Sequence, residues 1–253
     1  MRSVYAKEML IYFSSPIFYA VSFIFLCVLG IFFYNDMAYM SMLASRIAQY
    51  QLSTGLGLDK IVLRPLFSDM SILLLFIVPI IAMRLYSEEK GNGTIELIFT
   101  YPITDLQVLL GKYLAGLSVI AILLGITTVL MLLAGIVVSP DWGLVFSSYL
   151  GLFLVSASFL AIGVFASSLT KNQIIAAASS LGIILAFWAA GWFSDVFTAS
   201  AVAKFLGELG IMEHLDDFMK GMLNVKDAVF YLLFSLFFLF MTLRILESHT
   251  WRG

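Results

Sequence analysis

Three polar runs hold the residues whose types and spacing could do chemistry. Residues 88–104 read Glu-Glu-Lys-Gly-Asn-Gly-Thr-Ile-Glu-Leu-Ile-Phe-Thr-Tyr-Pro-Ile-Thr, residues 166–173 read Ala-Ser-Ser-Leu-Thr-Lys-Asn-Gln, and residues 213–218 read Glu-His-Leu-Asp-Asp-Phe. Covalent or acid–base catalysis needs a nucleophile and a base, or paired carboxylates, at one place. Such a pairing is missing here. His214 and His249 are the only two histidines; they lie far apart in sequence and on opposite faces in the topology below, so both read as loop residues rather than as ligands or bases. Cys27, the single cysteine, can neither close an intrachain disulfide nor build a zinc site. It reads as a small packing or lipid-facing residue, and Phe25-Leu26 before it are too large for lipoprotein processing. The sequence has no G-x-x-x-x-G-K-[ST] phosphate loop, no G-x-S-x-G elbow and no H-E-x-x-H pair. No catalytic residue and no metal ligand is therefore nominated. Any active transport must draw its energy from another subunit.

The elements that position these runs are greasy. Of 253 residues 62% are hydrophobic and 12% charged, and the mean hydropathy is +1.03. A soluble fold of this length has too little interior for that much apolar surface. The apolar runs give six spans, at about residues 17–34, 66–85, 105–138, 145–169, 173–193 and 228–246. The fold class expected is all-α, a polytopic membrane protein, with one transmembrane domain over residues 1–253. Residues 1–15 place Tyr5, Met9, Tyr12 and Phe13 on one helical face and Ser3, Lys7 and Ser14 on the other. That pattern predicts an interfacial elbow helix that ends at Pro16. The apolar run after it is too long for a signal peptide and lacks an A-x-A site, so it reads as a retained first span. Pro79 should kink the second span. Thr104 and Gln107 have capping-box spacing ahead of the third. Residues 194–227 are polar and partly amphipathic. Ala178, Gly182, Ala186 and Ala190 form a small-residue stripe on the fifth span, which predicts close helix packing within the subunit, with a dimer interface or the wall of a substrate path as the alternative.

Charge adds orientation and exclusions. A net charge of −2 leaves no basic stripe for nucleic acid. With the N-terminus inside, eight Lys and Arg residues fall on the cytoplasmic side and six on the other, so both termini are expected in the cytoplasm. The middles of the spans carry almost no ionisable group, which speaks against an ion-coupled carrier. A stand-alone channel or carrier is the alternative function, but it needs a polar path, and only scattered Ser, Thr and Asn are available. A membrane enzyme fits least.

Residues 86–105 carry more pattern than a plain connector. A charged start is followed by a break at Gly91 and Gly93, a helix-compatible piece at residues 94–100, a stop at Pro102 and a restart at Thr104. A short helix held between two spans can transmit force to a soluble partner. Ile95, Leu97, Ile98 and Phe99 would supply apolar contact, and Glu88, Glu89 and Glu96 charged contact. The plainer alternative is that the piece lies in the membrane interface.

The run E-E-K-x-x-G-T-I-E-L-x-x-T-Y-P-I-T at residues 88–104 resembles the coupling region of ABC-2-type permease subunits. Residues 166–173 resemble the second inner loop of that family. Residues 213–218 through 246–248, with Lys7-Glu8 and Ser14-Ser15-Pro16, are similar to its gliding-motility-associated branch. The resemblance covers nearly the whole chain. It implies an ABC-2, type V exporter-like, permease fold in a bacterial inner membrane, exporting or serving the cell envelope. It also implies two ATP-binding partner subunits that hold the ATP and Mg²⁺, a second permease copy forming a homodimer, and an accessory protein, periplasmic or membrane-anchored. This chain itself would bind no cofactor. By the same resemblance, Glu88, Glu89, Lys90, Gly93, Thr94, Ile95, Glu96, Leu97, Thr100 and Pro102 would contact the ATPase subunit, and Ser168, Thr170, Lys171 and Asn172 would form the second inner loop. The stretch at residues 194–227 would form short helices dipping toward the outer leaflet, with Gly207, Gly210 and Gly221 permitting the breaks.

Overall fold

Apolar runs of this length can satisfy their backbone groups inside a bilayer only as helices, and helices are what they form. The computed structural model describes residues 1–50, 62–94, 104–137, 140–196 and 207–250. Its helices are α1 (Arg2–Ser14), α2 (Pro16–Tyr50), α3 (Arg64–Ala82), α4 (Arg84–Gly91), α5 (Asp105–Val137), α6 (Trp142–Leu169), α7 (Gln173–Val196), α8 (Ile211–Met219) and α9 (Val225–Thr250). Among the described residues six stretches are long and apolar enough to span a membrane: Pro16–Leu43, Arg64–Gly91, Asp105–Leu133, Trp142–Leu169, Gln173–Gly191 and Val225–Ser248. The number and order match the sequence expectation. The second span differs: it continues through α4 to Gly91, so the charged start expected in a loop is helical.

α6 is the central post. In its most apolar window 78% of residues are buried, against 17% for α2. The reason is side-chain size. Its buried residues include Gly151, Ser156, Ala157, Ser158, Ala161, Gly163, Ala166, Ser167 and Ser168, and small residues let neighbouring backbones approach closely. A Cβ on Gly163 would collide with the Cβ of Ala82 in α3, and one on Gly151 would stand 2.6 Å from the Cβ of Phe218 in α8.

The small-residue stripe of α7 does not pack within the subunit. Ala178, Gly182 and Ala186 are exposed and only Ala190 is buried. α7 instead turns Ala176, Ser180 and Ile184 inward, because Ser180 fits beside Gly163, its Oγ 3.4 Å from where a Cβ there would sit.

The bundle has two ends. One carries α1, α4, the α6–α7 turn and the start of α5, where Gly111 packs against Val4 and Met1. At the other, α8 ends at Gly221 (φ +81°) in a Schellman arrangement: Gly221 N–H donates to Phe218 O and Met222 N–H to Asp217 O. His214, expected in a loop, is buried on α8. Its Nδ1 lies 2.6 Å from Asp227 Oδ1, Nε2 lies 3.2 Å from Glu208 O, and the ring stacks on Phe230 at 4.0 Å. The amphipathic pattern around it hid this because its partners come from elsewhere in the chain.

Close contact at Gly163 carries an expected outcome. Gly163→Ala should lower stability by ~1–3 kcal/mol through overpacking against Ala82. Gly125→Ala, where a Cβ would meet nothing within 4 Å, should hold or raise it, as alanine favours helix over glycine. Thermal unfolding of the two variants in detergent compares them directly.

Candidate functional site

α4 is a short helix with a built start and stop. Arg84 Nε donates to Glu88 Oε2 at 3.0 Å, one turn along. Ser87 Oγ donates back to Met83 O. At the far end Gly93 takes φ +69°, Asn92 N–H bonds to Glu88 O and Thr94 N–H to Glu89 O, both at 3.0 Å. The expected break therefore falls at Gly93. Gly91 is still helical, and its missing side chain has another use: a Cβ there would press the carbonyl oxygen of Lys171 at 3.0 Å.

Between α3 and α4 the helical ladder breaks at Met83, one turn past Pro79, which lies inside α3 and leaves Leu75 O without its N–H partner. Met83 N–H reaches Pro79 O at 2.9 Å. Past the break one hydroxyl replaces the lost register: Ser167 Oγ accepts from Tyr86 N–H and Ser87 N–H at 3.0 Å each and donates to Met83 O at 2.8 Å. Gly163 and Ser167 are one turn apart on α6, so the same face admits α3 and holds α4. Lys90 Nζ adds a bond to Ser168 O.

α4 is also tied to α1 and α5 by charge. Lys112 is 1% exposed. Its Nζ lies 2.7 Å from Glu8 Oε1, 2.8 Å from Glu89 Oε2 and 2.6 Å from Leu85 O, over the Tyr86 ring. Lys7 Nζ lies 2.7 Å from Glu89 Oε1. The row Glu8–Lys112–Glu89–Lys7 thus alternates in sign across three helices. At Lys7, partial burial works to lower the ammonium's affinity for its proton, but the bond to Glu89 and the charges of Glu89, Glu8 and Glu88 outweigh it and push the pKa up. Lys7 stays charged.

α1 is strapped down rather than lying free. Tyr12 hydroxyl donates to Ile81 O at 2.8 Å and Tyr5 hydroxyl to Ser118 Oγ at 3.0 Å. Burial, with Glu8 adding to it, pushes the Tyr12 hydroxyl pKa well up, so it remains a donor. The inward face keeps Tyr5, Met9 and Tyr12 of the expected apolar face and adds Glu8, whose carboxylate is buried, while Phe13 is exposed.

The predicted site residues divide accordingly. Glu88 lies at the surface with Arg84. Glu89 turns inward, a correction to its expected place as a surface contact, because the buried Lys112 needs its charge. Lys90 is spent on the α6 carbonyl. Gly93 and Thr94 are exposed at the tip. In the second inner loop Ser168 is buried, with its hydroxyl on Phe165 O at 2.7 Å. Thr170 Oγ1 accepts from Asn172 N–H at 3.1 Å, Asn172 Oδ1 caps α7 through Ile174 N–H at 2.9 Å, and Lys171 and Asn172 are exposed. Gly91 against Lys171 brings the two expected loops together into one surface. Ile95, Glu96, Leu97, Thr100 and Pro102 lie outside the described residues. Thr104 does cap α5, accepting Gln107 N–H at its Oγ1 at 3.4 Å and at its carbonyl at 2.9 Å. Lys112, Glu8, Lys7 and Ser167 are not among the site residues expected from sequence. A lone lysine inside an apolar helix was the one available signal, since a buried cation demands carboxylates. Among the described residues no group of three or more His, Cys, Asp or Glu stands close enough to hold a metal ion.

The sequence pattern of the family described as ABC-2 family transporter protein matches residues 2–220. No curated protein matches the chain.

Three outcomes follow from the geometry. Lys112→Met should cost about 3–5 kcal/mol by leaving two buried carboxylates face to face, whereas Glu8→Gln, Lys112→Met and Glu89→Gln together should recover most of it. Lys7→Ala, at a half-exposed pair, should cost no more than about 1 kcal/mol. Ser167→Ala should cost about 1–3 kcal/mol for each backbone group it strands at the break. Denaturant or thermal unfolding of the purified chain reads all of them.

Proposed function

The chain belongs to the ABC-2 transporter family, and from that premise we propose that the exposed tip of α4, beside the α6–α7 turn, is where a separate ATP-binding subunit docks. The family places the chain among the membrane permeases of ABC transporters, subunits that partner an ATP-binding protein. In the reading advanced here, two such ATPases bind ATP and Mg²⁺ and face two copies of this permease across a bacterial inner membrane. Both termini then lie in the cytoplasm. They would share that side with α1, α4 and the α6–α7 turn, as they share one end of the bundle. Transport is outward, or serves the cell envelope. An accessory protein, periplasmic or membrane-anchored, would complete the assembly.

The observation that carries this reading is mechanical. Residues 91–94 and 169–172 form one surface, and everything behind it is tied down. A push on the tip moves α4 with α6 through Ser167 and Lys90, and with α1 and α5 through Lys112. The compliant stretch runs from Pro79, which gives up one backbone bond, to the break between α3 and α4 at Met83. Force applied outside the membrane is thereby delivered to the spans. Contact with the ATPase falls to Glu88, Gly93, Thr94, Ile95, Glu96, Leu97, Thr100 and Pro102, and to Thr170, Lys171 and Asn172. Glu89, Lys90 and Ser168 act from behind, by holding the tip in place.

Two finer assignments belong to the same reading. The exposed Ala178, Gly182 and Ala186 stripe supports a homodimer packed through α7. The likeness of residues 213–218 and 246–248 supports the gliding-motility-associated branch.

Co-purification with a co-expressed ABC-type ATP-binding subunit tests the reading. Deleting residues 94–100 should reduce ATPase recovery about tenfold or more, since several contacts of ~1 kcal/mol each are lost together, while the permease still inserts. Glu89→Lys should do the same by loosening α4. Wild-type recovery after the deletion sinks the docking assignment.

A further inference from the structure

A cavity lies where the elbow between α1 and α2 faces the α3–α4 break. It encloses about 120 Å³. Its walls are aliphatic and aromatic: Ile17, Phe18 and Val21 of α2, Ile80 and Ile81 of α3, and Tyr12 of α1. Two charged side chains, Arg84 and Glu88, line it at the α4 side, with Met83 between the helices and Gln173 at the start of α7. Of the two charged side chains the coupling role above uses Glu88 alone, and not Arg84.

We propose that this cavity binds a zwitterionic aminophospholipid from the adjoining leaflet, with its phosphate on Arg84 and its ammonium on Glu88. The first support is the polar pair. A guanidinium carries donors on every nitrogen, and among the described residues the hydrogen bond Arg84 makes is from Nε to Glu88. The two Nη groups are left for a phosphate, which a guanidinium fork binds well. Arg84 is held in place by lying 5.8 Å from the centre of the Tyr12 ring.

The second support is charge balance. A purely anionic headgroup would meet the carboxylate of Glu88 in the same cavity. A headgroup with one phosphate and one primary ammonium answers both side chains. A trimethylated ammonium has no N–H to give Glu88.

The third support is the path leading away. Ile17 is 57% exposed at the mouth, and Ile24 and Ile31 follow at 60% and 59%. Residues seven apart lie on one helical face, so an exposed aliphatic track runs from the cavity along the span. An acyl chain can lie there while its headgroup sits at the elbow. A soluble ligand would have no use for that track. Because Ile80, Ile81 and Met83 belong to the compliant stretch, the bound lipid would wedge between the elbow and the hinge.

Native mass spectrometry of the delipidated full chain in detergent tests this, with palmitoyl-oleoyl phosphatidylethanolamine, phosphatidylcholine and phosphatidylglycerol offered at equal concentration. The ethanolamine lipid should be retained about tenfold better than the other two. Arg84→Gln should erase that preference. Ile17→Trp, which fills the mouth and leaves the Arg84–Glu88 pair intact, should cut retention by a similar factor, and it decides the matter if Arg84→Gln does not fold. Equal retention of all three lipids, or preference for the glycerol lipid, overturns the proposal. So does ethanolamine-lipid retention unchanged by Ile17→Trp, retention of glycerophosphoethanolamine without its chains, or a loss of dimer rather than of lipid in Ile17→Trp.

Discussion

A lysine ammonium with 1% exposure is the constraint around which one end of this molecule is arranged. Removing such a charge from water costs several kcal/mol, and the loss is offset only where opposite charges and acceptors surround it closely. Lys112 obtains these from three directions: Glu8 on α1, Glu89 on α4 and the carbonyl of Leu85. None of the three helices could satisfy it alone. Their mutual placement is therefore set by one cation more firmly than apolar packing would set it, since helix faces in lipid gain little from simply meeting.

Behind that cluster, α6 solves a second problem. Between α3 and α4 the ladder breaks at Met83, and backbone groups left unsatisfied in a membrane are costly. Ser167 supplies an acceptor for two N–H groups and a donor for one carbonyl, and Gly163 one turn earlier lets α3 come close enough for this to happen. A break that is both permitted and held makes a hinge with a defined rest position. That is a useful property where a membrane permease must respond to a partner outside the bilayer.

Electrostatics and geometry meet at the tip. Glu88 and Glu89 are neighbours in sequence with opposite fates, because successive residues on a helix point about 100° apart. Glu88 remains at the surface beside Arg84, and Glu89 goes to Lys112. The pair illustrates how a run that reads as uniformly charged divides into a structural half and a presenting half. The far end repeats the lesson with His214, whose partners Asp227 and Glu208 arrive from α9 and from the segment before α8.

What the amino-acid order determined was whatever depends on near neighbours and on total apolar content. Six spans, their sequence positions, the turn at Pro16, the cap at Thr104 and the loops worth inspecting all follow from hydropathy and local backbone chemistry. The side of a helix that faces inward depends on partners distant in the chain, and there the tertiary structure decided. In lipid, hydropathy barely separates a buried face from an exposed one, because the solvent is as apolar as the core. For that reason the Ala178, Gly182 and Ala186 stripe could be seen but not aimed, and Phe13 was placed on the wrong face. Lys112 could be read as a surface charge until the carboxylates of Glu8 and Glu89, separated from it by 104 and 23 positions, were brought against it by folding.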